Sequence, residues 1–206
     1  MKFLKIAFIA LVLLITNLVI TQPSLADRIS EKSPDYPEIV QTLDNLLKTR
    51  ENPEQSDYTA EELQQKIADL KVQKYVLETS EDWGQCRNET GKLLAIYAHK
   101  PKKAAQNTIF YLEDGEVTDD DWDCDGILLP NDVKVSGLDL TPGEPVALKI
   151  VDGTVLTART NPETGEIELN VPPALITVLK EGDLDWSVPN LAQADIDAQA
   201  PNAPTD

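Results

Sequence analysis

The chain has 206 residues, with 36 Asp and Glu against 18 Lys and Arg, a formal net charge of −18, one His and two Cys. Its length sets a prior of one or two domains, and its composition excludes a collagen, a coiled-coil rod, a multi-cysteine scaffold and a polytopic membrane protein. Phosphate backbones and anionic lipid repel a charge of this sign, which argues against nucleic-acid binding.

An export signal opens the chain. Lys2 and Lys5 form a short positive region, 6–20 is apolar apart from Thr16 and Asn17, and Ser24 and Ala26 stand three and one residues before a cut after Ala26. This is the three-part layout of a cleavable signal peptide over 1–26. The competing reading is an uncleaved anchor, since the apolar run is near the lower limit for a bilayer span. No Cys lies near the cut to carry a lipoprotein anchor. Cleavage takes away two lysines and no acid, turning 206 residues at −18 into 180 at −20, with no segment left for membrane insertion.

All nine glycines lie at Gly84 or later, and 27–80 carries helical periodicity. Ile39, Val40, Leu43, Leu46 and Leu47 recur at helical spacing behind the start signals of 33–38. Asn52-Pro53 breaks that helix within 50–57. Thr59 with Glu62 then makes a capping box, and Tyr58 against Leu63 a hydrophobic staple. Leu63, Ile67 and Leu70 continue as a stripe, so the expectation is two antiparallel helices.

From residue 92 the period changes to two. Residues 92–99 and 107–113 predict strands. Val146, Leu148 and Ile150 alternate up to an Asp152-Gly153 hairpin turn. Residues 154–160 return, 161–165 turn again, and Ile167, Leu169 and Val171 form the next alternating run. The expected fold is α+β: an N-terminal antiparallel helical hairpin (27–80) followed by a small antiparallel β-sandwich or barrel (81–189). The residues 190–206 have little apolar content and predict a disordered acidic tail.

Cys86 and Cys124 are the only cysteines, and export implies an oxidising destination, so a disulfide between them is the simplest reading. Closing that loop stabilises a fold by about 4 kcal/mol in the loop-entropy model. A Cys-x-x-Cys redox pair is absent. Trp83 and Trp122 flank the two cysteines and are expected to pack around the bridge.

The sharpest local feature is the acidic run 119–126. Asp121, Asp123, Asp125 and Gly126 match the first half of a calcium loop, with Asp132 at its twelfth position. Calcium wants six to eight oxygens, which alternate carboxylates on a tight turn can supply. Pro130 and strand-like flanks argue against a helix–loop–helix site. A solvated acidic turn is the plainer reading in a chain with 20 Asp. Calcium is the one cofactor the sequence raises.

His99-Lys100-Pro101-Lys102-Lys103 is the single basic cluster. No Ser–His–Asp or Cys–His arrangement includes His99, and a second His for a common zinc site is missing. Asp152-Gly153-Thr154 is not the aspartic-protease order. Nothing selects a carboxylate pair for glycoside hydrolysis, so no catalytic residue is assigned.

The signal ending Thr21-Gln22-Pro23-Ser24-Leu25-Ala26 and the acidic, helix-then-strand chain resemble exported proteins of cyanobacteria. The resemblance implies a periplasmic or thylakoid-lumen address, and accessory or assembly roles near membrane complexes. The functional expectation is a non-catalytic accessory protein whose acidic surface meets a protein partner with a basic surface. A calcium-stabilised extracytoplasmic domain and a carboxylate-based hydrolase are the alternatives.

Overall fold

The computed structural model describes residues 29–51, 57–101, 103, 107–183 and 186–205. The expected signal peptide, most of the interhelix break and Lys102 lie outside these residues. The protein is α+β with its two long helices N-terminal, and no helix among the described residues is long and apolar enough to cross a membrane.

Helix α1 spans Tyr36–Glu51 and α2 spans Ala60–Thr79. The capping box at the start of α2 forms. Glu62 N–H donates to Thr59 Oγ1 at 3.2 Å, and Thr59 N–H donates to Glu62 Oε2 at 2.8 Å. These bonds satisfy amides that a helix start would otherwise leave bare. Tyr58, expected to staple onto Leu63, is 43% exposed, with the Lys66 ammonium 5.2 Å from its ring centre. Leu43, Leu63 and Ile67, with Leu46, Leu47 and Leu70, form the seam between the helices. Ile29 and Leu77 pack with Val151 and Leu175, which fastens the hairpin onto the strands.

Eight strands follow among the described residues: β1 Gln85–Glu89, β2 Leu94–His99, β3 Thr108–Leu112, β4 Asp123–Leu129, β5 Val146–Ile150, β6 Val155–Thr160, β7 Ile167–Leu169 and β8 Ile176–Leu179. They make two sheets. The larger is antiparallel throughout in the order β3-β2-β4-β5-β8, and the smaller has the order β1-β6-β7. The described residues form no closed barrel. One pairing departs from the all-antiparallel expectation, because β1 lies parallel to β6. The excursion through β2 to β5 supplies the long connection that a parallel pair requires.

One apolar cluster draws on both sheets, with Cys86, Leu156, Ala158 and Ile167 from one and Leu94, Ile96, Cys124, Ile127, Val146 and Leu148 from the other. Cys86 on β1 and Cys124 on β4 are joined by a disulfide with their Cα atoms 5.8 Å apart, so the cross-link ties the two sheets together. Trp122 packs against this core and meets Phe110 edge-on. Trp83 joins the helix–strand cluster instead.

The tail is a correction to the composition argument. Its few apolar residues are placed on the large sheet, where Leu191 and Ile196 join Trp186, Val188, Tyr97 and Leu128. The Tyr97 and Trp186 rings stack at 4.3 Å. A short helix, α3 (Gln193–Asp197), follows, and Thr205 bridges to Thr118. Low apolar content predicts disorder only when what apolar content there is finds no surface, and here it does.

Candidate functional site

The central strand β4 is buried at every position, yet it carries two aspartates. Cys124 between them faces the core, so the alternation of a strand turns Asp123 and Asp125 to the opposite face. A bulge then shifts the register against β2. Ala98 pairs with Cys124 and Tyr97 with Gly126, leaving Asp125 as the extra residue. The shift returns Ile127 and Leu129 to the core. Gly126 is required there by a close approach, since a Cβ would stand 2.0 Å from Leu148 O on β5.

His99 ends β2 directly opposite Asp123 in the ladder. Its Nδ1 lies 2.8 Å from Asp125 Oδ2. Gly84 N–H donates to Asp123 Oδ1 at 3.0 Å. Gly84 is itself obligatory, because a Cβ would stand 2.5 Å from Cys124 O. One donor atom from each of His99, Asp123 and Asp125 lies within 4.8 Å of the others. Asp152, beyond the end of β5, adds its charge to the same region, and the Ser33 hydroxyl bonds it. Lys149, on the β5 position paired with Gly126, is engaged by Asp35 in an ion pair.

The electrostatics follow from burial. Asp123, Asp125 and Asp152 are 1%, 6% and 4% exposed. Asp123 is pushed up to about 8, first by burial and then by the charges of Asp125 and Asp152. Burial likewise pushes Asp152 up to about 6, against the Ser33 bond. His99 is raised chiefly by its hydrogen bond to Asp125, which favours the imidazolium, while burial opposes it. Such a group can share protons or hold a small cation. Its oxygens are closed to an organic substrate.

Of the residues expected in a calcium loop, Asp123 and Asp125 share this cluster. Asp121 is an exposed partner of Lys100 at 2.9 Å. Asp132 accepts from Gln193 N–H at 2.9 Å at the start of α3. Gly126, assigned to the turn of that loop, lies inside a strand. His99 and Asp152 escaped the sequence argument, because a lone imidazole and a hairpin aspartate have no local partner to announce them. A signal did exist: two ionisable residues at i and i+2 lead directly into the apolar run Gly126–Leu129, on a segment too hydrophobic to be a solvated loop.

A cleft between the helices and β5/β8, lined by residues including Asp35, Glu38, Lys149 and Asp183, has neither Asp123 nor Asp125 in its walls. No family model, curated protein or solved structure matches this chain.

Proposed function

We propose that the protein is an exported, non-catalytic accessory protein that acts by binding, presenting an acidic surface to a protein partner with a basic surface. The observation carrying this reading is the segment between β3 and β4. Residues 113–121 hold six carboxylates and no cation, and Glu113, Asp114, Asp120 and Asp121 are exposed. The same segment leans on the tail through the Thr118–Thr205 bridge, so the acids sit on a braced surface. A lumenal or periplasmic portion of a membrane complex is a partner of the fitting chemistry, and assembly is the fitting role.

The carboxylate-based hydrolase has one observation in its favour, two aspartates whose pKa values are raised as a general acid requires. Their burial leaves a glycoside or peptide no approach, so binding is the better-supported reading. The loop form of the calcium reading is supported less well, since Asp121 and Asp132 are engaged at separate places.

The test is co-purification from native membranes at low and at moderate salt. Exposed charge pairs beyond a Debye length are screened as salt rises, and charge-steered complexes weaken accordingly. A partner lost steeply with salt supports the proposal, and charge reversal at Asp120 and Asp121 should reproduce that loss. A complex indifferent to salt, or none at all, removes it.

A further inference from the structure

We infer that His99, Asp123 and Asp125 form a site for one divalent transition-metal ion of the zinc or manganese kind. This goes beyond the acidic-surface reading and does not depend on it.

The donor set selects the class of ion. Calcium and magnesium are held by oxygens. An imidazole nitrogen alongside two carboxylates suits the first-row divalent metals instead. The three donor atoms already lie within 4.8 Å of one another, a span that an ion with bonds of about 2.0–2.2 Å closes by small side-chain movements. Two ligands stand on one strand and the third directly across the ladder, so the backbone of β2 and β4 fixes their spacing.

A further observation points to a cation. Asp123, Asp125 and Asp152 are buried together with one imidazole, and Lys149, whose charge reaches Asp152, is also ion-paired with Asp35. Ionising all three carboxylates in the interior needs a counter-charge, which a bound cation supplies.

The surroundings hold the ligands as outer groups of metal centres do. Gly84 N–H occupies Asp123 Oδ1 and leaves the other oxygen for the ion. The Cys86–Cys124 bridge pins the strand between the two aspartates. Ligation requires a neutral imidazole and two ionised carboxylates, so loading the site expels protons.

The experiment exploits His99 as the only imidazole of the chain. Tag-free protein is stripped with EDTA, dialysed and titrated with Zn²⁺, Mn²⁺ and Ca²⁺, following metal content, melting temperature and the ¹⁵N resonances of the single histidine ring. One equivalent of zinc or manganese is expected to bind, raising the melting temperature with the logarithm of free ion. Zinc should displace the resonance of the ligating ring nitrogen. Asp123→Asn and His99→Gln should each weaken binding by more than about 100-fold, beyond the loss typical of an outer-shell change, while Asp121→Asn leaves it unaltered. Asp123→Asn preserves shape and replaces a carboxyl whose ionisation burial opposes, so its folding is not in question. Binding that survives Asp123→Asn, a histidine resonance that does not move with zinc, or no stoichiometric ion at all overturns the inference.

Discussion

Asp123→Asn offers a measurement on the metal-free protein whose sign follows from burial alone. The Asp123 carboxyl, at 1% exposure, faces Asp125, Asp152, His99 and the Gly84 amide, and titrates at about 8 against about 3.9 in an unfolded chain. Between those values the folded chain retains a proton that the unfolded chain has released. Stability is therefore greatest near pH 4, falls as pH rises, and levels off above about 8. Asp152, raised to about 6, and His99, also raised, both act in the same direction over their own ranges. At about 1.4 kcal/mol per pH unit, Asp123 costs the fold about 4 kcal/mol at pH 7. Asparagine keeps an oxygen for Gly84 N–H and cannot ionise, so Asp123→Asn should stabilise the protein by about 2–4 kcal/mol at pH 7 and by almost nothing at pH 4. Urea denaturation in EDTA at four pH values between 4 and 9 measures both numbers. Wild-type stability that rises from pH 4 to 8, or a substitution whose effect is independent of pH, would refute the reasoning.

Cys86→Ser should lower stability by about 4 kcal/mol in the loop-entropy model, and reducing the wild type should match it in calorimetry. Ile196, fully buried against the large sheet, should cost about 2–4 kcal/mol when cut to alanine; a tail that did not hold to the sheet would show almost no change. Gly126→Ala places a methyl 2.0 Å from Leu148 O and should destabilise by at least about 2 kcal/mol, with the His99 ring resonances shifted as β4 moves away from β5.

The parts of the fold legible in the sequence are those set by neighbours along the chain. Thr59 and Glu62 announce a helix start because both partners of the cap lie within one turn. Val146, Leu148 and Ile150 announce a strand because each faces the same core. Cys86 and Cys124 were legible through chemistry and elimination. By contrast, β4 resembled a loop because Asp119, Asp120, Asp121, Asp123 and Asp125 form one acidic run. Only in three dimensions does the run divide, the first three staying on the connecting segment and the last two entering a strand. The His99–Asp125 contact depends on a bulge and a register between segments 26 residues apart, and neither leaves a mark in local composition. The tail misled for a related reason, since the surface that orders Ile196 belongs to Tyr97, Leu128 and their neighbours.

The placement of the disulfide now bears on the site as well as on the core. A strand chosen for stability alone would carry apolar side chains at 123 and 125, because buried carboxylates facing one another oppose folding at neutral pH. Here they flank Cys124, whose bridge contributes about 4 kcal/mol, comparable to the penalty worked out for Asp123. The cross-link thus offsets, at the adjacent residue, the cost of holding two carboxylates against an imidazole in the interior. It also makes the cluster's geometry depend on oxidation, since Gly84, which positions Asp123, is held two residues from Cys86. Reduction should therefore weaken both the fold and the His99–Asp125 contact, and the lone histidine's ring resonances would report the second loss separately from the first.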